Sequence, residues 1–436
     1  MLAYPLVVTA SAASLVFIAT LTASLVLRLW LAQRQIAHVR RYRDMVPPAF
    51  AARISLAAHA KAADYTVAKQ RHGILHTLVD ALLLLALTLG GGLGAIVAWT
   101  EVLPVSPLWR DVAMFGIAGL IYAAVGLPFS WWHTFRIEER FGFNRITLRL
   151  WLADLAKGTA LALALGVPLL MLILWLMGAA GPWWWVWVWT AWMAFQVLIL
   201  VLYPTVIAPL FNKFSPLGEN PARARIEALL ARCGFRSAGL FVMDGSKRSG
   251  HGNAYFTGFG KAKRIVFFDT LLDRLAPDEI EAVLAHELGH FKRLHMVKRV
   301  AWSAALSLVM LALLAWLARA PWFYAGLGIP ADLLPVAMSR PGVALELFML
   351  ALPVFTLVLE PLSALYSRRH EFEADAFATE HASAASLTTA LVKLYEDNAA
   401  TLTPDPLHSA FYDSHPPAAV RIAHIAARAA QRPVPA

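Results

Sequence analysis

The sequence predicts a mainly α-helical membrane protein with a separate polar domain. Of its 436 residues, 59% are hydrophobic and only 15% are charged, whereas typical soluble domains have about 45–50% and about 25%. The hydrophobic residues form seven blocks, each close to the roughly 20 residues that cross a hydrocarbon core. This composition excludes an ordinary soluble enzyme and a disordered chain. The single cysteine excludes a disulfide scaffold and a cysteine-built zinc site.

We interpret the seven blocks as membrane helices. No Lys or Arg precedes Arg28, so the first block lacks the positive region of a cleaved signal peptide and is expected to be retained. The blocks cover approximately Leu6–Leu31, Ile74–Trp99, Val112–Trp132, Leu150–Met177, Trp183–Tyr203, Ala301–Ala318 and Val343–Leu365. The predicted domains are a five-helix membrane region at residues 1–203 and two later membrane helices at 301–365. Residues 204–300 and 366–436 are predicted to form two parts of one polar domain.

The distribution of positive charge predicts the orientation. Connections after the first, third and fifth blocks are rich in Lys and Arg, whereas those after the second, fourth and sixth hold at most two such residues. Cytoplasmic loops carry the excess of Lys and Arg, so we expect the N-terminus outside and the polar domain and C-terminus inside. A free Cys233 fits that reducing compartment. The positively charged cytoplasmic loops therefore explain the net charge of +10, and no nucleic-acid partner is expected.

A metal-binding pattern, H-E-L-G-H, lies at residues 286–290. His286 and His290 are four residues apart, so both imidazoles leave one face of a helix and can hold one metal ion. Glu287 lies beside the first ligand, where it can accept a proton from a metal-bound water. The alternative is a solvated helix face, but apolar residues directly precede this motif. The pattern therefore predicts a catalytic metal site.

A catalytic zinc needs a third protein ligand and an open position for water. His295 is one residue out of register for a third ligand of the metzincin type, and no Asp or Glu occurs between 291 and 331. The best donor follows the seventh block, where Glu371 and Asp375 share a helix face. We assign Glu371 as the third ligand of one Zn²⁺. Asp375 then either orients a ligand histidine or carries a proton.

These motifs resemble those of the type I CAAX prenyl endopeptidases, which are integral-membrane zinc peptidases of the gluzincin kind. The matching stretches are 253–256, 263–272, 286–290, 369–377 and 414–417, followed by Arg421. The resemblance implies seven helices that enclose a water-filled chamber, closed on the cytoplasmic side by a zincin-like α+β domain. It also implies that His286, His290 and Glu371 bind zinc, that Glu287 is the base and that Asp375 donates a proton.

The resemblance also suggests where a substrate binds. Residues 253–257 and 264–268 are predicted strands around a turn at 258–263. Because zinc peptidases commonly bind substrate as an added strand beside such an edge, Asn253 is expected to contact the substrate. The alternative for Asn253 is a simple turn residue.

Two residues in the C-terminal tail are implied to lie at the same site. In the family, the residues that match His415 and Arg421 bind the substrate or the oxyanion, where a polarising donor is useful. A cap before the following helix is the alternative for His415. We therefore predict four catalytic residues in all, namely Glu287, Asp375, His415 and Arg421.

The predicted function is zinc-dependent hydrolysis of peptide bonds in peptide or protein substrates, with or without a lipid. The composition looks bacterial, so we expect a monomer in contact with the lipids of a bacterial inner membrane. A quality-control endopeptidase that cuts damaged membrane proteins is one alternative. The other is a transporter or lipid-binding protein with a structural metal, which would need His295 or His370 as a fourth ligand.

Two carboxylates lie within the seventh block. Glu346 and Glu360 would each cost a few kcal/mol if they faced lipid, so we expect a polar interior around them. Glu360 is expected roughly 16 Å before Glu371 along the same helix. The alternative is an ion pair with an arginine of a neighbouring helix.

Overall fold

The computed structural model describes residues 8–235, 237, 239–257 and 264–431. These residues are mainly helical and contain one four-stranded sheet. Six helical stretches are long and apolar enough to cross a membrane, and the described chain has seven if one bent pair counts as a span. The predicted turn at 258–263 and the start of the first apolar block lie outside the described residues.

The N-terminal half consists of long helices that contain the first five predicted blocks. These are α1 Ala10–Arg41, α2 Leu56–Leu87, α3 Gly92–Glu101, α4 Pro107–Trp132, α5 Leu148–Ala179, α6 Trp184–Leu202 and the short α7 Ala208–Phe211. A π-helical turn, His133–Glu138, continues α4 beyond its apolar part. Several helices extend past their apolar blocks, because their ends are polar and hydropathy marks only the part suited to lipid.

The second predicted span is broken in the structure. Helix α2 ends at Leu87, and α3 starts at Gly92 at an angle of 49°. Gly91 has a φ of 77°, in the left-handed region that favours glycine. A Cβ atom added to Gly90 or Gly92 would lie 2.8 or 2.7 Å from the carbonyl oxygen of Ala86. Three consecutive glycines therefore turn the chain inside an apolar block.

The first polar segment forms the sheet and the helices around it. Its elements are β1 Phe214–Pro216, α8 Pro221–Arg232, β2 Leu240–Met243, β3 Ala254–Thr257, β4 Arg264–Phe268, α9 Asp269–Leu272 and α10 Pro277–Lys292. The strand order is β1-β2-β4-β3, and β3 is antiparallel to β4. The two predicted strands are thus confirmed as neighbours, and β3 lies at the edge of the sheet.

The remaining helices complete the membrane region and return to the polar domain. They are α11 His295–Leu317, α12 Pro321–Gly326, α13 Leu334–Ser339, α14 Pro341–Thr356, α15 Glu360–His381, α16 Ala384–Asp397, α17 Pro406–Tyr412 and α18 Ala418–Ala430. A 3₁₀ turn, Leu357–Leu359, joins α14 to α15, so the seventh membrane helix runs directly into the predicted third ligand.

The membrane helices form a loose wall rather than a solid bundle. In five of the six spans, only 6–17% of the most apolar window is buried within the protein, whereas the Pro341–His381 span is 61% buried. A helix inside a packed bundle would bury a full apolar face against its neighbours. The low burial leaves most of each apolar stretch to face lipid or an open interior.

The polar domain has its own hydrophobic core, built from both polar segments. Ile226 and Leu229 of α8 and Phe267 of β4 pack in one cluster with Leu391 of α16 and Ile425 of α18. The membrane helices have a separate core. Residues far apart in sequence, from both polar segments, therefore share one hydrophobic core.

The two carboxylates of the seventh span differ in their surroundings. Glu360 Oε1 lies 2.8 Å from Arg28 Nη2 of α1, so its partner is an arginine of a neighbouring helix, which was the alternative to a polar interior. Glu346 is buried, and no described residue forms an ion pair with it. The pairing of Glu360 removes the cost of an isolated carboxylate among membrane helices.

Candidate active site

Helix α10 presents its motif toward α15 because the two helices pack closely. Ile280, Leu284 and Leu288 are almost fully buried and fix the opposite side of α10 in the core. Gly289 faces Ala374 of α15, and a Cβ atom added to the glycine would lie 2.9 Å from Ala374 Cα. The glycine of the motif therefore permits the close approach that brings both histidines against Glu371.

The three predicted metal ligands converge. His286 Nε2 lies 3.2 Å from His290 Nε2 and 3.4 Å from Glu371 Oε2, and His290 Nε2 lies 3.3 Å from Glu371 Oε1. Tetrahedral zinc with bonds of about 2.0–2.1 Å holds its ligand atoms about 3.3–3.4 Å apart. Glu371 Oε2 is also buried without a hydrogen-bond partner among the described residues. Both the spacing and the donor types fit zinc.

A buried carboxylate and arginine hold the first histidine. Asp375 is fully buried, and its Oδ1 lies 2.9 Å from His286 Nδ1. Arg421 binds both carboxylate oxygens of Asp375, at 2.6 and 2.9 Å. Burial disfavours a charged imidazole, but the neighbouring carboxylates of Asp375 and Glu371 raise the pKa of His286 to about 9. The contact through Nδ1 leaves His286 Nε2 free to bind metal.

The Arg421 guanidinium keeps its charge inside the protein. Burial works against the cation, yet its hydrogen bonds to Asp375 raise the pKa of Arg421. Its Nη1 also lies 3.5 Å from Glu371 Oε2. The arginine thus neutralises part of the negative charge beside the ligand cluster.

The Asp375→Asn variant is expected to bind zinc about 10- to 100-fold more weakly than wild type, as for other outer partners of metal-bound histidines. The amide cannot accept hydrogen bonds from both His286 and Arg421 through two carboxylate oxygens. Competition with a chelator measures the affinity. Asp273→Asn, an exposed change in the same domain, is the control, and equal affinity in both variants would contradict this role.

A second buried contact supports His290, and sequence analysis missed it. His290 Nδ1 lies 2.9 Å from His295 Nδ1, and His295 Nε2 lies 3.0 Å from Glu373 Oε2. The His295 ring stacks on His370 at a centroid distance of 3.9 Å. From the sequence, His295 was weighed as a third or fourth metal ligand and His370 as a fourth, but the structure places both outside the ligand cluster.

Glu287 lies between two cavities. One has a volume of about 300 Å³ and the other about 430 Å³, and Glu287 lines both. Burial raises the pKa of the Glu287 carboxyl group. A raised pKa brings a carboxylate closer to the working pH that suits a general base.

The smaller cavity brings the other predicted site residues together. Asn253 and Ala254 at the edge strand line it together with His415 and Arg421. Asn253 is exposed, and its side-chain oxygen accepts a hydrogen bond from its neighbour Ala254. The His415 side chain is 59% exposed, and its Nε2 lies 3.4 Å from Glu371 Oε1. Asn253 and His415, two of the three predicted substrate contacts, are therefore accessible beside Glu287, whereas Arg421 is buried.

The larger cavity is lined partly by His290 and Glu371 of the ligand cluster, and its apolar part reaches the membrane region. It is lined by Tyr255 and Phe256 of β3, Leu200 of α6 and Met296 of α11. Strand β3 thus runs from the smaller cavity, at Ala254, into the larger one. A peptide added to the edge of β3 would pass Glu287 on the way between them.

Two further residues of the smaller cavity were not predicted. Tyr395 and Asn398, at the end of α16, line it. Burial raises the pKa of Tyr395 to about 12, and its hydroxyl donates to Pro416 O at 3.4 Å. No motif marks either residue, because only the packing of α16 against α10 and α18 brings them to the cavity.

The membrane helices are joined to an α+β domain whose H-E-x-x-H helix lies beside a cleft, with a carboxylate as the third ligand. This combination defines an integral-membrane zinc metallopeptidase. Residues 35–213 match the model of the CAAX prenyl protease N-terminal region with five membrane helices. Residues 216–429 match the model of peptidase family M48. The chain belongs to peptidase family M48, whose metallopeptidases are zinc-dependent in general.

Named relatives agree over most of the chain. CAAX prenyl protease 1 of Saccharomyces cerevisiae is 34% identical over 327 residues, which cover 73% of this chain and 72% of that protein. The CAAX prenyl protease 1 homolog of Homo sapiens is 31% identical over 356 residues, which cover 73% of this chain and 74% of that protein. The crystal structure of S. mikatae Ste24p superposes with a TM-score of 0.87 at 31% identity, covering 95% of this chain and 99% of that one.

These similarities confirm the predicted fold class, in which membrane helices enclose a chamber above a zincin-like α+β domain. They also confirm a membrane zinc metalloendopeptidase of the CAAX prenyl protease type. The transporter alternative finds no support among them. The relatives named here are eukaryotic, and the bacterial inner membrane stays a prediction.

Proposed function

We propose that the chain binds one Zn²⁺ per monomer through His286, His290 and Glu371 and cuts peptides bound along β3. The observation that carries this proposal is the convergence of two histidine nitrogens and the two oxygens of Glu371, with contacts of 3.2–3.4 Å, beside Glu287. Zinc held there would lower the pKa of a water molecule and polarise the scissile carbonyl. We also propose that residues 204–300 and 366–436 act as one catalytic domain, with 1–203 and 301–365 forming the membrane region.

The proton transfers are assigned to Glu287. Its carboxylate accepts a proton from the attacking water as the new C–O bond forms, and it delivers that proton to the leaving amine as the C–N bond breaks. Its raised pKa suits both steps. The exposed His415 Nε2, 3.4 Å from Glu371, is the proposed donor to the oxygen that becomes negative.

Asp375 and Arg421 are proposed to position the site. Both oxygens of Asp375 are already used by His286 and Arg421, and the carboxylate is fully buried. Such a group is poorly placed to exchange protons with a substrate, so this pairing favours the orienting role over the proton-carrying one. Arg421 lines the smaller cavity, where its remaining N–H groups can also contact a peptide.

The proposed substrates are peptides and proteins, including lipidated ones. The smaller cavity has polar groups for a peptide backbone, such as Asn253. The larger cavity has an apolar wall beside α6 and α11, which suits a lipid chain or a large apolar side chain. The relatives named CAAX prenyl protease 1 support this choice.

Peptide mass analysis with purified protein in lipid nanodiscs tests the proposed activity. Peptides with a thioether-linked isoprenoid and the same peptides without it are incubated with wild type and with Glu287→Gln. We expect two fragments whose masses sum to that of the peptide plus one water, and we expect them only with wild type. Intact peptides in every reaction, with zinc bound, would contradict an endopeptidase.

We propose that the catalytic domain faces the cytoplasm. Cys233 is buried and therefore a poor reporter, so Cys233→Ser serves as the background. In this Cys233→Ser background, Ala228→Cys on the exposed face of α8 should resist a membrane-impermeant thiol reagent in intact cells. Ser106→Cys, in the connection before α4, should react with the same reagent. The opposite labelling pattern would invert the orientation.

A further inference from the structure

The smaller cavity has a polar wall residue with no assigned role, Asn398. It follows the last residue of α16 and lines the cavity together with Glu287, Asn253 and Arg421. Its backbone N–H is satisfied by Leu394 O at 3.1 Å. The side-chain amide is therefore the part of Asn398 available for recognition.

His251 fixes the orientation of this amide. His251 Nδ1 lies 3.0 Å from Asn398 Oδ1, and since an amide oxygen can only accept, the imidazole donates from a protonated Nδ1. Because the oxygen is engaged, the amide nitrogen keeps two N–H donors that have no hydrogen-bond partner among the described residues. Two donors with a fixed direction at a catalytic cavity favour an oxygen acceptor on the ligand.

The membrane region holds His251 in place. The carboxylate of Glu138, at the end of the π-helical turn after α4, lies 3.4 Å from His251 Nε2. The Tyr65 hydroxyl of α2 donates to the same carboxylate. The ring of His251 stacks on Phe143 at a centroid distance of 4.5 Å. Two contacts from outside the polar domain, Glu138 and Phe143, therefore restrain this loop residue beside the edge strand, and Tyr65 holds Glu138 in place.

The backbone next to Asn398 is restrained independently. Ala399 has a φ of 42°, which is uncommon for a residue other than glycine. Its methyl group is buried among Tyr65, Ile137 and Phe141. Unfavourable backbone conformations persist where surrounding structure enforces them, and they cluster at binding sites. The membrane helices thus hold both the side chain and the backbone at this position.

We propose that Asn398 is a substrate-binding residue and that His251 is its positioning residue. The amide donates to an oxygen acceptor of the bound peptide, either a main-chain carbonyl or a terminal carboxylate. This inference rests on the proposed peptidase function and extends it. Contact with a substrate beyond the scissile bond contributes equally to ground state and transition state, so its loss raises KM and leaves kcat unchanged.

Steady-state kinetics of zinc-loaded Asn398→Asp in nanodiscs test the proposal. The variant keeps the shape but loses both donors, and we expect KM to rise about 3- to 10-fold with kcat within about twofold. Peptides are compared as free acids and C-terminal amides. A larger rise with the acid identifies a terminal carboxylate as the acceptor, and equal rises identify a main-chain carbonyl. Glu396→Gln, an exposed change two residues earlier, is the matched control and keeps the wild-type KM.

A double-mutant cycle tests the role of His251. His251→Leu should raise KM while leaving the zinc content unchanged. The further rise in KM when Asn398→Asp is added to His251→Leu should be smaller than the rise that Asn398→Asp causes in the wild-type background. His251→Gln, which retains an N–H donor, should restore part of the affinity. Independent effects of the two changes would contradict the positioning role.

Unchanged KM for both peptide forms in Asn398→Asp, with normal zinc content, would overturn the inference while leaving the peptidase function intact. No cleavage by wild type would instead refute the proposed function. If the aspartate variant does not fold, Asn398→Cys is made with Cys233→Ser and Glu287→Gln. A bound peptide should then slow alkylation of the introduced thiol, and an unchanged rate at saturating peptide would equally overturn the inference.

Discussion

Glu287→Gln is expected to abolish peptide hydrolysis while the fold and the zinc content stay as in wild type. The glutamine amide can still hydrogen-bond to water but cannot accept its proton at neutral pH. Loss of a general base typically costs about 10²- to 10⁴-fold in rate. Glu287 has no described ion pair and lies between the two cavities, so its replacement should disturb little else.

The rate should be measured under single-turnover conditions, so that product release does not hide the effect. Glu227→Gln, on the exposed side of α8, is a matched control and is expected to keep wild-type activity. A Glu287→Gln rate within tenfold of wild type would assign the base to another residue.

Glu371→Ala is expected to lose zinc. Its carboxylate supplies the third corner of the ligand triangle, and removing it leaves only the two histidines of α10. We expect a drop in zinc affinity greater than the roughly 10- to 100-fold loss that follows removal of outer partners. Elemental analysis after dialysis against a weak chelator provides the measurement.

Glu373→Ala is the matched comparison for Glu371→Ala. Glu373 lies on the same helix but contacts His295, behind His290, and Arg369 rather than the ligand cluster. Its loss should weaken zinc binding less than the loss of Glu371. Full zinc occupancy and normal hydrolysis in Glu371→Ala would remove this residue from the metal site.

The features that sequence analysis predicted correctly depend on short-range patterns. The i,i+4 spacing of His286 and His290 decides that both leave one helix face, whatever the rest of the fold does. Apolar blocks long enough to cross a membrane mark helices because lipid leaves backbone groups no other partners. The prediction that Glu371 is the third ligand rests on exclusion, since acidic residues are absent from 291 to 331, and the structure places it beside both histidines.

The features that sequence analysis missed depend on contacts between distant segments. The break after α2 comes from three glycines inside an apolar block, where hydropathy alone predicts a continuous span. An arginine partner was only the alternative expected for Glu360, and the sequence does not identify it as Arg28 of the first span. Asn398 meets His251 only when the two polar segments fold together. No local periodicity encodes such pairs, because each residue fits the local pattern of its own helix or loop whichever distant residue it meets.

Zinc titration of chelator-treated protein tests the central claim most directly. Purified wild type in nanodiscs is stripped of metal, zinc is added back in fractions of an equivalent, and peptide cleavage is measured at each step. The site formed by His286, His290 and Glu371 predicts that activity rises linearly and reaches its plateau at one zinc per chain. Undiminished cleavage by the stripped protein, or a plateau that requires two equivalents, would contradict it.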